Sequence, residues 1–360
     1  MRVALVLGAS VGGIGTYVRD LAEYCVSCGD EVVVVGPRST EERFDFSAAG
    51  ARFVPLTGTL KGLPGLLTLR RVLGGADVVH SHGFQAAART NLARVGRRGP
   101  RHVVTLHNAI LATGLRARVA EVVERLAVRP ADAVLGASAD LVERAEELGA
   151  RHAGLVPVPA PPLPEPTRSA LEVRADLAVA DDEILMLSVG RLAAQKSFGL
   201  LLDAVAALRA QGDIPLRLAI AGEGPERAAL AARIENEKLP VTLLGHRADI
   251  ADLLAAADVF VLTSRWEARA LVVQEALRAG VPVVATAVGG IPDLVADAAE
   301  LVAWNDVPAL AAAIRSVLTD PGVRDGLRAA GPVRAATWPA RTEALAAARA
   351  WLADPSGPRR

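Results

Sequence analysis

Val156-Pro157-Val158-Pro159-Ala160-Pro161-Pro162-Leu163-Pro164-Glu165-Pro166 divides the 360-residue chain into two halves of the same α/β pattern. Five of its prolines fall within the eight residues 159–166, and none supplies the backbone N–H that a helix interior or central strand needs. The stretch reads as a semi-rigid linker. Before it, β-branched runs at Arg2–Leu7, Glu31–Val35, Arg52–Leu56, Asp77–Ser81, His102–Leu106 and Ala133–Gly136 alternate with helical patterns, among them Ile14–Cys28, Phe84–Val95, Arg116–Arg129 and Asp140–Leu148. After it, strands are expected at Ile184–Val189, Arg217–Ala221, Val241–Leu244, Asp258–Leu262 and Val283–Thr286, with helices between them and a last helix from about Thr342 to Leu352. Such alternation belongs to parallel sheets covered on both faces. The expected architecture is α/β, with two doubly wound, Rossmann-like domains facing across a cleft and ligands at the carboxyl ends of the strands. The expected boundaries are 1–157 for the first domain, 158–182 for the Pro-rich linker region, 183–337 for the second domain, and 338–360 for a C-terminal helix packing back on the first.

The length also favours two domains, because single cores stop growing at about 250–300 residues. The formal net charge is zero, so no global field points to nucleic acid. The charge is unevenly spread. Between Lys61 and Arg129 twelve basic residues face only Asp77, Glu121 and Glu124, a local excess of nine positive charges. A solvated helix face is one reading of that run; an electropositive surface for an anionic acceptor or an anionic membrane is the other. Cys25 and Cys28 have no second pair to complete a zinc site, and read as two small buried side chains. The chain opens on a strand pattern rather than a signal peptide, and no apolar run reaches the ~18 residues of a membrane span. Cytoplasmic localisation is expected, with membrane association only at the surface.

Four stretches carry chemistry. Gly8-Ala-Ser-Val-Gly12-Gly13-Ile14-Gly15 follows the first strand and reads equally as a tight turn or an anion contact. It is not a dinucleotide fingerprint, because Gly36-Pro37-Arg38 stands where an acidic ribose partner would end the second strand. Gly190-Arg191-Leu192-Ala193-Ala194-Gln195-Lys196 sets two cations and a helix start over one strand end, which suits a departing diphosphate as well as a solvated surface pair. Gly222-Glu223-Gly224-Pro225 is a strand-to-helix elbow or a ligand-lining loop. In Glu267-Ala268-Arg269-Ala270-Leu271-Val272-Val273-Gln274-Glu275, a fully helical interval would hold the two carboxylates about 12 Å apart, too far for the ~5–5.5 Å pair of a retaining hydrolase. Glu275 lies among apolar neighbours, so its carboxylate needs donors: sugar hydroxyls, or backbone amides within the fold.

This last stretch, with Ala279-Gly280-Val281-Pro282-Val283-Val284-Ala285-Thr286 and Gly289-Gly290, resembles the E-x7-E signature of the family 4 retaining GT-B glycosyltransferases. Gly190-Arg191, Lys196 and Gly12-Gly13-x-Gly15 fall in the family's order, so the likeness spans nearly the whole chain. It implies transfer of a sugar, with retention, from a nucleotide-diphosphate sugar to a small-molecule, lipid-linked or glycan acceptor, without a metal or other cofactor. It also implies residue roles. Arg191 and Lys196 would hold the diphosphate, Glu275 the ribose, and Glu267 the transferred sugar, with His107 facing sugar and acceptor; the catalytic set is therefore His107, Glu267, Arg191 and Lys196. Donor binding would add Gly13, Gly15, Gly190, Gly222, Ala270 and Leu271. His80 and His82, at a strand end beside His107, are expected on the acceptor side, as is Arg269.

Two departures stand out. Ala268 and Ala270 replace the family's glycines and Arg269 its Phe, so the loop backbone is expected to differ or Arg269 to read a polar or acidic group on the sugar. Val156-Pro-Val-Pro replaces the usual Asn-Gly-Val-Asp. A nucleotide-sugar epimerase of the same fold and a non-catalytic nucleotide-sugar-binding protein are the rival expectations.

Overall fold

The computed structural model describes residues 1–10, 12–56, 63–96, 99–112, 114–160, 162–212 and 214–357. Val11 of the glycine-rich turn, Lys61, Arg97 and Arg98 of the basic run, and Pro161 of the linker lie outside the described residues. Two compact units result: one joins Met1–Val158 to the C-terminal segment from Pro339, the other is Pro159–Trp338.

The first unit is built on β1 (Arg2–Leu7), β2 (Glu31–Gly36), β3 (Arg52–Pro55), β4 (Val78–His82), β5 (Arg101–Leu106), β6 (Ala133–Gly136) and β7 (Ala153–Leu155). Their order is β3-β2-β1-β4-β5-β6-β7, every ladder parallel. The second unit has β8 (Ile184–Val189), β9 (Leu216–Ala221), β10 (Val241–Gly245), β11 (Val259–Leu262), β12 (Val283–Thr286) and β13 (Glu300–Val302). These are ordered β10-β9-β8-β11-β12-β13, again all parallel. In each sheet the order reverses beside the unit's first strand, between β1 and β4 and between β8 and β11. A doubly wound sheet opens a crevice at such a point, outside the carboxyl ends of the strands.

The central strands are buried on both sides, as Val3–Leu7 and Val259–Leu262 show, because helices cover both faces. Strands β7 and β13, absent from the sequence reading, have three residues each, too few to print a period. Residues 170–176, within the stretch read as linker, form a helix started by a Ser169–Glu172 capping box and belong to the second unit. The helix Pro321–Ala336 contains Gly331 and Pro332 in its interior. Gly331 is there because a Cβ would stand 2.8 Å from the carbonyl oxygen of Leu277.

The C-terminal helix Arg341–Ala353 packs on helix Gly13–Ser27, on β4 and on β5. Arg349 donates two hydrogen bonds to Asp30, at 2.6 and 3.0 Å, and the N-terminal ammonium adds a third at 2.8 Å. Burial pushes the Asp30 carboxyl upward, but these cations outweigh it and hold it below the usual carboxylate range. Gly154 leaves room for Trp351, whose ring a Cβ there would approach to 2.4 Å. Cys25 is buried and its thiol is pushed up to about 12 by burial; Cys28, expected to be buried, is exposed, just past the last turn of its helix.

Candidate functional site

In the second unit, the loops after β8, β9 and β11 are tied together by their backbones. Gly222, at φ 148°, donates its N–H to the Gly245 carbonyl at 2.7 Å, and a Cβ there would lie 1.8 Å from the Gly190 carbonyl oxygen. Only glycine fits that crossing. Arg265 N–H donates to the Gln195 carbonyl at 2.7 Å, and Gln195 returns its side-chain amide to the Trp266 carbonyl at 2.8 Å. Thr263 and Thr286 are buried, and their hydroxyls fix the Lys196 and Ser264 carbonyls at 3.0 and 2.7 Å. Gly289, at φ 53°, lies so close to the Glu267 carbonyl that a Cβ would stand 2.2 Å from it.

These ties bring Lys196 and Glu267 together. Lys196 Nζ donates to Glu267 Oε1 at 2.6 Å, and Ser264 Oγ donates to the same oxygen at 2.7 Å. Glu267 is only 9 % exposed, so an unpaired carboxylate there would be costly, and the Lys–Ser pair offsets its desolvation. Ser264 is the partner that sequence reasoning passed over; its spacing of three residues from Glu267 was the available signal. Arg191 is exposed at the end of β8, and Gly190 lies under the Lys196 methylenes, 3.1 Å from Cε to a hypothetical Cβ.

Ala270 caps the helix Leu271–Arg278 in an extended conformation (φ −65°, ψ 110°) and makes no side-chain cap hydrogen bond. None of Ala268, Arg269 and Ala270 has positive φ, so alanine in place of the family's glycines costs no backbone strain here. Glu275 is half-buried on this helix and burial raises its carboxyl to about 7, partly opposed by Arg278. No backbone amide among the described residues donates to it. Arg269 turns its guanidinium over the Trp338 ring, 5.5 Å from the centroid, where burial and then Arg334 and Arg278 lower its pKa to about 10.

In the first unit, β4, the end of β5 and the helix Gly13–Ser27 gather Tyr17, His80, His82 and His107. His82 Nδ1 and His107 Nε2 are 3.1 Å apart, sharing one proton between two neutral rings, and Tyr17 meets both edge-on with centroids 5.9 and 5.4 Å away. Burial lowers the His107 pKa to about 4; burial, followed by His80 and His107, holds that of His82 well below the usual imidazole range. His80 is at the middle of β4 rather than its end; its Nε2 is bonded to Thr105 Oγ1 at 2.7 Å inside the sheet, and burial followed by His107 lowers its pKa to about 3. His102, fully buried, joins Asn91 and Ser81 at 2.7 and 2.9 Å and supports the sheet from within. Gly13 and Gly15 lie in the first turn of helix Gly13–Ser27, and Ser10 Oγ accepts the Gly15 N–H at 3.1 Å. Gly15 is explained by packing: a Cβ would enter the Phe44 ring at 2.1 Å. Just past β5 and β6 lies a cavity of about 390 Å³, lined in part by Phe84, Ala109, Ile110, Asp140 and Arg144. A larger one, about 670 Å³, sits at the amino ends of β1 and β2, away from the strand ends that hold ligands in this fold.

Family models agree with this layout: residues 12–161 match a glycosyl transferase 4-like domain, and residues 170–334 match glycosyl transferases group 1. The chain belongs to the family 4 GT-B glycosyltransferases and is a glycosyltransferase. It is 28% identical to the GDP-mannose-dependent alpha-(1-6)-phosphatidylinositol dimannoside mannosyltransferase of Mycobacterium tuberculosis, over 89% of this chain and 88% of the relative. It is 31% identical to the D-inositol 3-phosphate glycosyltransferase of Kineococcus radiotolerans, over 92% and 89%. The fold matches Anabaena HepE, solved with UDP and glucose, at a TM-score of 0.80 and 21% identity, covering 98% of this chain and 100% of that one.

Proposed function

We propose that the chain transfers a sugar, with retention of anomeric configuration, from a nucleotide-diphosphate sugar bound at the carboxyl ends of β8, β9 and β11. The observation that carries this is the Lys196–Glu267–Ser264 cluster at those strand ends, a cation and a carboxylate held ready in a half-dry site. In this reading Lys196 and Arg191 take up the charge that grows on the leaving diphosphate, in the place a metal would fill, with the open N-terminus of helix Leu271–Arg278 adding backbone donors. Glu267 then accepts hydroxyls of the transferred sugar, and Glu275 the ribose hydroxyls. Gly190 and Gly222 let the donor approach the backbone. His107, neutral and joined to His82, serves the acceptor in the first unit. The 390 Å³ cavity beyond β5 and β6 is the acceptor side. Retention and a nucleotide-sugar donor are supported by the family likeness and by the donors that the relatives' names carry. A cytoplasmic location fits such donors.

Glu275 supplies the test. Its carboxyl titrates near 7, above its ordinary 4.5, so the folded state binds that proton more tightly than the unfolded chain. Its burial therefore costs nothing below about pH 4.5, and the cost grows to on the order of 2–3 kcal/mol above about pH 7. Glu275→Gln should raise the melting temperature at about pH 8 and leave it nearly unchanged at about pH 4. If the ionised carboxylate accepts ribose hydroxyls, nucleotide affinity in the wild type should tighten about tenfold between about pH 6 and about pH 8. Thermal-shift titrations with GDP, UDP, ADP and TDP sugars read both quantities. Affinity that is flat with pH and unchanged in Glu275→Gln would remove Glu275 from the donor site.

A further inference from the structure

The helix Leu115–Val128 is apolar on two opposite faces. Its inner face is accounted for: Ala127 and Val128 are buried, Glu124 is buried against Arg144 at 2.6 Å, and the helix packs on Phe84–Arg94. Its outer face is not accounted for by folding. Leu115, Val119, Val122 and Leu126 are 76, 60, 56 and 57 % exposed, and their spacing of four, three and four residues aligns them as one stripe over three turns. Burying such a stripe is worth far more than leaving it wet. Arg116 and Arg118 on this helix and Arg129 at its end are exposed, and Arg125 pairs with Glu121. Among the described residues Arg116 and Arg118 meet no carboxylate. The apolar surface continues onto the neighbouring helix end: Asn91 donates to the Leu126 and Ala127 carbonyls, and the adjacent Leu92 and Val95 are 57 and 62 % exposed.

We propose that this face docks on an anionic lipid bilayer, with the helix lying in the interface plane, Leu115, Val119, Val122 and Leu126 at the acyl boundary and the arginines on lipid phosphates. Charge decides the occupant. A second copy seated on the same face would set arginines against arginines around a two-fold axis, whereas an anionic headgroup layer neutralises all of them at once. The inference goes beyond the donor site and does not depend on it, because it is read without substrate.

Co-sedimentation of the full chain with vesicles of phosphatidylcholine alone, or mixed with phosphatidylglycerol, tests it. Recovery should need the anionic lipid and fall as salt is raised. The double variant Val119→Glu/Leu126→Glu should weaken partitioning at least about tenfold, with an unchanged melting temperature because both positions are exposed. Arg116→Glu/Arg118→Glu should lose most of the salt-dependent binding. Leu171→Glu, 76 % exposed in the other unit, should behave as wild type. Equal recovery with both vesicle types, no recovery with either, or binding indifferent to the helix variants overturns the proposal. So does a dimer by sedimentation equilibrium that the Val119→Glu/Leu126→Glu change converts to monomer, since that would give the face to a second copy.

Discussion

Replacing Lys196 with alanine is expected to lower the turnover of the best-stabilising nucleotide sugar by about 10²–10³-fold, the usual effect of removing one preorganised group from developing transition-state charge. Lys196 reaches over the end of β8 with its ammonium 2.6 Å from Glu267, and is 17 % exposed at the side chain, so its charge is little screened. Alanine has a second consequence. It leaves the 9 %-exposed Glu267 carboxylate with Ser264 alone, so the melting temperature should fall as well. Lys196→Arg separates the two effects: a guanidinium keeps the ion pair and the fold but cannot place a compact point charge, and should lose rate with little change in stability. Steady-state release of nucleotide, measured beside thermal midpoints, distinguishes them. Normal turnover in a folded Lys196→Ala would remove this side chain from the chemistry.

Gly222→Ala should destabilise the second unit by on the order of 3 kcal/mol and abolish nucleotide-induced stabilisation. Two costs combine. The backbone at φ 148° is one that L side chains rarely adopt, and the added methyl would meet the Gly190 carbonyl oxygen at 1.8 Å, so the loops after β8 and β9 must separate. Separation breaks the Gly190 and Gly222 amide bonds to Ala221 and Gly245, both shorter than 3.0 Å, and moves Lys196 with them. Chemical denaturation with a nucleotide-diphosphate titration reads both effects. Gly199→Ala is the matched control, since a Cβ there meets nothing within 4 Å. Equal behaviour of the two variants would show that the crossing of β8 and β9 loops has slack.

Much of the fold was legible because parallel strands buried on both faces appear as uninterrupted β-branched runs such as Glu31–Val35 and Val283–Thr286. Strands β7 and β13 were not, being three residues long, and neither was the helix through Pro332, whose Gly331 is required by a close approach to the Leu277 carbonyl that no local pattern announces. In the candidate site, Glu267, Glu275, Arg191 and Lys196 stood out by type and spacing. Ser264 did not, because a serine three residues before a glutamate is common and only burial turns it into a required donor. Gly15 drew attention as a ligand-facing glycine, yet Phe44, twenty-nine residues further on, is what forbids its side chain.

The sequence by itself determined the two doubly wound sheets, the family, and the residues able to carry donor chemistry, because these follow from periodicity and from spacing within short segments. The tertiary structure decided which of those residues meet. Lys196 and Glu267 are 71 positions apart and join only because β8 and β11 are neighbours at the point where strand order reverses. The same applies to His82 with His107, and to the outward turn of Leu115, Val119, Val122 and Leu126. A helical period states that such residues share a face, but only the packing of the opposite face on its neighbours says which way that face points.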